Sequence, residues 1–496
     1  MISIEDLASF CKKKGFVYPS QEIYGGMSGS FDFGPLGTEL KNNIKKEWWK
    51  TFVQSREDMY GIDGSLISSS KVWEASGHLS NFADFLTKCD KCGKDHRADH
   101  LIEDKLKISV DGLPADSLNK LIKDNDIKCP LCKGNLKEIK SFNLMFPLSV
   151  GADSKTDTKA YLRGETAQMI FVAFKNVADS SRVKLPFGIA QSGKAFRNEI
   201  SPRDFLFRVR EFEQMEIEYF IHPSEKKCPL LNKEHTDIEF LFLSAESQDK
   251  KGKEEKLTVS ALLKGKKLGE WHAYWLSESY LWYTNLGIDP KNLRIREHVK
   301  SELSHYSSAT FDIEYKFPFG WKEIHGNANR GQFDLTQHHK ASGKSQELFD
   351  EESKEKVIPR VIEPSFGVER AFLAFLYDSY NDDKERGNIV LKLSPKLAPT
   401  EVAVFPLVNK LHEKAREVFS KLNDEFVTTY DKSGSIGRRY ARADESGIPY
   451  CITIDFDTEN DHCVTLRDRN STKQKRVKID DLNNEIYKLL KGKFTF

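Results

Sequence analysis

Apolar residues along this chain fall into two rhythms, and the rhythm changes with position. Across residues 38–53, Leu40, Ile44, Trp48 and Phe52 recur at every fourth place, which predicts an amphipathic helix with Thr38 as its N-cap. A second helix is predicted from near Phe366, with Phe372, Leu373, Leu376 and Tyr377 on one face. Residues 187–220 alternate instead and read as an antiparallel pair of strands joined by residues 200–204. Gln191, Arg197 and Glu199 then share one face of the first strand. On the second, Arg208, Arg210, Phe212, Gln214, Glu216 and Glu218 share a face, while Val209, Met215, Ile217 and Tyr219 point the other way with Glu211 and Glu213.

Past residue 387 the pattern becomes short β-rich runs at 402–405, 426–429, 450–456 and 463–466, the first three separated by helical stretches. That spacing predicts a compact α/β domain with a largely parallel sheet over residues 388–496. Two regions interrupt the main domain, residues 1–387. Residues 88–140 turn polar between Cys89-x-x-Cys92 and Cys129-x-x-Cys132 and read as an insertion. Residues 225–300, with a Lys-rich run at 250–256, read as a polar, partly helical appendage.

Composition narrows the class. With 496 residues, 39% hydrophobic and 30% charged, the chain can build two or three cores. No apolar run reaches the roughly 18–20 residues of a membrane span, and the acidic start is unlike a signal peptide, so a cytoplasmic enzyme with no membrane partner is expected. Eight cysteines are too few for a disulfide framework. Two short loops that each present a pair of sulfurs can make a tetrahedral zinc knuckle from Cys89, Cys92, Cys129 and Cys132; reduced or redox-labile thiols are the alternative. A net charge of +1 decides nothing about nucleic acid.

The charged face of the hairpin carries the chemistry. Guanidinium forks suit phosphate, an aromatic plate suits a base, and carboxylates suit an amine or a metal ion. A second charged segment, residues 363–370, puts Glu363, Glu369 and Arg370 at a strand-to-helix junction. Buried charges of this density are costly unless a polyanionic or zwitterionic ligand meets them, although a surface hairpin laced with ion pairs would show the same pattern.

Further motifs lie in a fixed order: Gly34-Pro35-Leu36-Gly37, residues 163–168 (RGETAQ), Phe196-Arg197-Asn198-Glu199, Glu213-Gln214-Met215-Glu216, residues 363–370 (EPSFGVER) and residues 435–445 (SIGRRYARADE). With them the chain resembles the class II aminoacyl-tRNA synthetases, and within these the glycyl-tRNA synthetases of the homodimeric type. The resemblance covers nearly the whole length. It implies an α+β catalytic domain built on an antiparallel sheet, an inserted Cys-rich knuckle and a C-terminal α/β anticodon-binding domain. It also implies ATP with magnesium, glycine and the tRNA for glycine as ligands, and a homodimer with an isologous interface near residues 34–53.

The same resemblance assigns the ATP site to Arg197, Asn198 and Glu199, to Phe207, Arg208, Val209, Arg210, Glu211 and Phe212, to Glu323 and Ile324, and to Gly367, Val368, Glu369 and Arg370. Arg197, Glu323 and Arg370 would be catalytic: Arg197 on the α-phosphate, Glu323 on magnesium, and Arg370 over an adenine that Phe212 supports from below. Glu199 would accept from the adenine amine. The glycine pocket would run along Phe212, Glu213, Gln214, Met215 and Glu216 and along Glu363, Pro364, Ser365, Phe366 and Gly367, with Glu165, and with Arg97 closing from the insertion. Glu165, Glu216, Glu363 and Ser365 would surround the ammonium group. Glu165 could equally cap a helix, and Ser365 could be the N-cap of the helix after Pro364.

In the last domain Arg438, Arg439 and Arg442, with Lys473, Lys475, Arg476 and Lys478, are candidates for an RNA backbone or for a solvated face. A synthetase-like protein that has lost catalysis and serves as an RNA-binding or regulatory subunit is the alternative function. Retention of Arg197, Glu199, Glu323 and Arg370 together counts against it. The same chemistry on another small amino acid is a third reading, discriminated by the Glu165, Glu363 and Ser365 pocket.

Overall fold

The computed structural model describes residues 2–108, 110, 113–151, 158–250, 252–351 and 353–492. Its centre is a nine-stranded sheet. In chain order the strands are β1 (Met59–Ile62), β2 (Phe187–Phe196), β3 (Glu211–Ile221), β4 (Glu239–Leu243), β5 (Glu255–Thr258), β6 (Leu293–Glu297), β7 (Ala309–Phe317), β8 (Gly320–Gly331) and β9 (Arg360–Gly367). Across the sheet they run β5-β4-β6-β7-β8-β9-β3-β2-β1. Only β1 against β2 and β4 against β6 are parallel.

Helices cover the sheet. The first, α1 (Pro35–Trp49), buries Leu40, Ile44 and Trp48 and ends in a π-helical turn that buries Phe52. It begins earlier than its apolar rhythm suggested: Pro35 sits at the first helical position after Gly34, and the Thr38 hydroxyl donates to Phe33 O instead of capping. Gly37 is required here, because a Cβ at that position would lie 1.8 Å from Phe16 O. Two more helices, α2 (Ala167–Ser181) and α3 (Glu270–Asn285), precede α4 (Val368–Ser379), which starts after Gly367.

The reading of 225–300 as a polar appendage is corrected. Its β4, β5 and β6 extend the central sheet, and α3 buries Trp271, Trp275, Tyr280, Trp282 and Tyr283 in the main core. Aromatic residues on all sides gave α3 no amphipathic signature, and the neighbouring lysines hid it. The Cys-bearing segment has a small sheet and core of its own. Strands Ala83–Lys88, Asp95–Arg97 and Lys140–Asn143 form a small sheet, and helices Ala98–Leu106 and Ala115–Asp124 close a core of Ile102, Leu118, Ile122 and Ile139.

The last domain has its own core around a five-stranded sheet: β10 (Val402–Pro406), β11 (Thr428–Tyr430), β12 (Tyr450–Ile454), β13 (Cys463–Asp468) and β14 (Gln474–Lys478), ordered β11-β10-β12-β13-β14. The first three strands are parallel; β13 and β14 return antiparallel because the segments joining them are too short for a crossover. Leu391, Leu393 and Leu397 still pack in the first core, so the change of core falls near residue 400, later than the expected 388. A polar hairpin over 380–391 masks that continuity in the sequence.

Candidate active site

On one face of the central sheet, β3, β7, β8, β9 and the start of α4 enclose a cavity of about 260 Å³. The loop between β2 and β3 folds over it. Strand alternation explains the lining: Phe212, Gln214 and Glu216 of β3, Glu323 of β8, and Glu363, Ser365 and Gly367 of β9 all face inward. From the loop come Arg197, Glu199, Phe207, Arg208 and Val209, from α4 Glu369 and Arg370, and from the turn before α2 Glu165.

One end is cationic and aromatic. The Arg197 guanidinium lies between the Phe82 ring, 5.0 Å away, and the Phe212 ring, 5.1 Å away, and its Nε donates to Gly164 O. Arg370 lies 4.5 Å over the Phe207 ring and reaches Glu323 Oε2 at 3.0 Å. The two halves of the expected Phe212–Arg370 sandwich thus each rest on another partner. Arg208 stands 3.8 Å from Glu199 Oε2. Burial lowers its pKa, with Glu199 opposing. Beside Glu323, buried Asp312 is gripped through Oδ2 by His298 at 2.7 Å and Arg296 at 3.1 Å.

The other end is a floor of acids around one cation. Arg330, fully buried, makes two 2.8 Å bonds to Asp334 and one of 2.7 Å to Glu363 Oε1. Glu165 accepts from His78 at 3.1 Å and Gln168 at 3.1 Å. Burial raises its pKa, but His78, Arg330 and Gln168 together outweigh that and hold the carboxyl below its ordinary range. Glu216 accepts from Ser365 Oγ and Gln214 Nε2, each at 2.7 Å, and from Thr166 Oγ1. Burial, then Glu165, raises its pKa. Glu363 is pushed up to about 8 by burial, with Glu216 and Glu165 adding and Arg330 opposing. Ser365 is not a helix cap: it lies in β9, and Gly367 precedes α4. Thr166, not Glu165, stands at the start of α2.

Other residues assigned by resemblance lie outside the lining. The Arg97 guanidinium is taken up by Asp84 at 2.6 Å and by Asp99. Arg210 donates to Glu199 O and Ser28 O, because alternation fails in the loop between Phe196 and Glu211. Glu211 pairs with Lys194, and Glu213 with Lys41 and Lys45, on the opposite face. Asn198 is held by its backbone N–H on Leu144 O. Met215, Ile324, Phe366 and Val368 are core residues, and Pro364 lies between two lining positions of β9.

Asp312, His298, Tyr306 and Arg330 escaped the sequence reading. Arg330, near the end of β8, and Asp334, in the first turn of the helix Phe333–Ser342, meet across a strand-to-helix turn that no single periodicity marks. The others sit on stretches whose charges resemble a solvated strand.

The four cysteine sulfurs converge within 4.8 Å of one another, with Cys89 to Cys132 at 3.4 Å and Cys92 to Cys129 at 3.7 Å. A tetrahedral ion with sulfurs at about 2.3 Å requires sulfur separations of about 3.8 Å, so the donor set fits a thiophilic divalent metal. In the last domain, Arg439 is buried and donates to Pro406 O and Leu407 O, which makes it a structural residue. Arg442 pairs with Asp431, Lys475 with Glu485, and Arg476 with Asp455 and Asp461. Three of the seven basic candidates are therefore paired with carboxylates within the domain, and Arg439 is spent on backbone carbonyls.

Comparison with known proteins agrees with this architecture. A family described as "tRNA synthetase class II core domain (G, H, P, S and T)" matches residues 149–245, and an "Anticodon binding domain" matches residues 401–489. A glycine--tRNA ligase of Caldanaerobacter subterraneus subsp. tengcongensis is 44% identical over 498 residues, 99% of each chain. One of Clostridium kluyveri is 46% identical over 494 residues, 98% of each, and one of Acetivibrio thermocellus is 44% identical over 503 residues, 100% of this chain and 99% of its own. No helix among the described residues is long and apolar enough to cross a membrane.

Proposed function

This chain belongs to the glycine--tRNA ligase family, and on that premise we propose that the cavity joins glycine to ATP and hands the glycyl group to tRNA. One observation carries the reading: Arg197, Arg208 and Arg370 share a single hollow with Glu165, Glu216, Glu363 and Ser365. In the first step a carboxylate oxygen of glycine bonds to the α-phosphorus and pyrophosphate leaves. In the second, a hydroxyl of the tRNA terminal ribose attacks the glycyl carbonyl and AMP leaves. No side chain has to act as nucleophile, since the glycine carboxylate is already ionised; catalysis is positioning plus charge neutralisation.

In this reading Arg197 grips the α-phosphate and stabilises the charge that builds there, Arg208 guides the triphosphate, and Arg370 reaches its terminal phosphate. Glu199 accepts from the adenine amine, and Phe212 supports the ring. Glu323 would hold magnesium, with Asp312 as a neighbouring oxygen donor; the ion, when bound, neutralises phosphate charge. Glu165, Glu216 and Glu363 hold the ammonium group. Selection of glycine in this reading is by exclusion, the side chains around the acids blocking the space that a larger amino acid would need beyond its α-carbon.

The cysteine cluster is assigned to structural zinc, residues 88–140 to an inserted knuckle and the C-terminal domain to the anticodon arm of the tRNA for glycine. We place the protein in the cytoplasm as a homodimer. Since Leu40, Ile44 and Trp48 of α1 are spent on the chain's own core, exposed Ile23, Tyr24 and Met27, which precede that helix, are among the apolar residues that could serve the interface. The test is ATP–pyrophosphate exchange with a panel of amino acids. Exchange driven by glycine alone is expected; exchange with alanine or serine but not glycine would overturn the specificity.

A further inference from the structure

One carboxyl beside the acid floor has no assigned task. Glu218 is completely buried on β3, on the same face as Phe212, Gln214 and Glu216, and neither of its oxygens has a hydrogen-bond partner. The β3–β9 register, with Glu216 opposite Ser365 and Tyr219 opposite Ile362, sets Glu218 directly across from Glu363. Each of the other acids has a donor: Glu165 has His78 and Gln168, Glu216 has Ser365 and Thr166, and Asp334 and Glu363 share Arg330.

We propose that Glu218 and Glu363 form a proton-sharing pair behind the ammonium pocket, and that an incoming ammonium group releases a proton from the pair to solvent. Glu218 is then a positioning residue that acts through Glu363. Two carboxylates facing each other across adjacent strands, with one guanidinium between the whole acid group and neutrality, cannot both ionise cheaply. One proton therefore belongs to the pair, not to either residue. Burial, with Glu363 and then Glu216 and Asp334 adding and Arg330 opposing, raises the Glu218 pKa well above its ordinary range, so the pair retains its shared proton in the free protein. An ammonium group placed against Glu363 supplies the missing positive charge, and the shared proton leaves. No covalent bond changes other than this O–H bond.

The inference rests on the glycine reading of the cavity. The test is calorimetric titration of glycine into the full-length protein at pH 7 in two buffers of different ionisation enthalpy, which counts protons released. Wild type should release a substantial fraction of one proton, and its glycine affinity should rise with pH by up to about tenfold per unit where the release is complete. Glu218→Gln, which removes one of the two carboxyls that share the proton, should bind glycine with clearly smaller release and a shallower pH profile than wild type. Binding by wild type with no proton released between pH 6 and 8.5 would overturn the proposal even if the variant failed to fold. So would equal release from wild type and variant. Absence of any glycine binding by wild type would instead sink the glycine reading, and this inference with it.

Discussion

Arg330 Nη1 lies 2.7 Å from Glu363 Oε1, and both residues are buried. This bond ties the glycine end of the cavity to α2, since Arg330 also holds Asp334, which in turn accepts from Gln168 at 2.9 Å. The pocket's shape and its charge balance therefore depend on one guanidinium.

Removing that cation should be expensive. Arg330→Met leaves Asp334 and Glu363 buried without their shared partner, and a loss of about 3–5 kcal/mol is expected in urea unfolding. Arg330→Lys should recover part of it, because a point charge meets the carboxylates without the bidentate fork. Full stability in the Met variant would refute the network's importance.

Arg197 lines the cavity, and its guanidinium hydrogen bond, to Gly164 O, ties it to a backbone carbonyl and not to another charged group. Arg197→Ala should leave circular dichroism and thermal unfolding nearly unchanged while cutting glycine-dependent pyrophosphate exchange by about 100-fold or more. Exchange within a few fold of wild type would remove Arg197 from the α-phosphate.

The cysteine knuckle predicts about one zinc per chain by elemental analysis. Cys129→Ser, at a buried position, should lose the metal and loosen the segment between its two Cys pairs, seen as faster proteolysis there with the central domain intact. A metal-free wild type purified without chelator, equally resistant to protease, would favour plain reduced thiols.

Glu363 sets a pH dependence of stability. Folding raises its pKa from 4.5 to about 8, so the native state holds the proton more tightly than the unfolded chain does. Its contribution is fully present below pH 4.5 and is lost as pH rises toward 8. Glu363→Gln, neutral throughout, should gain on wild type between pH 5 and 8.5 by on the order of 2–5 kcal/mol in urea unfolding. A gap that does not change with pH would show that Glu363 is ionised in the free protein.

Local order carried the motifs into the sequence. The strand alternation that puts Phe212, Gln214 and Glu216 on one face, the sulfur pairs of the knuckle and the apolar rhythms of α1 and α4 depend on near neighbours, so they could be read without a structure. The run from Arg197 to Arg210 could not be, because a loop has no period; Arg208 turns inward and Arg210 is spent on backbone carbonyls. Nor could the fate of residues 225–300, whose charged surface concealed three sheet strands and an aromatic helix at the heart of the core.

By itself, then, the sequence determined which residue types were present for phosphate, ammonium and metal, and in what local order. Only the tertiary structure decided which charges are free to meet a ligand and which are already neutralised. Arg97 and Arg439 are consumed by Asp84, Asp99 and backbone carbonyls, whereas Glu218 is left without a hydrogen-bond donor. The physical reason is that a charge's value depends on what stands within a few ångströms of it and on how little water remains there, and both are set by segments remote in the chain.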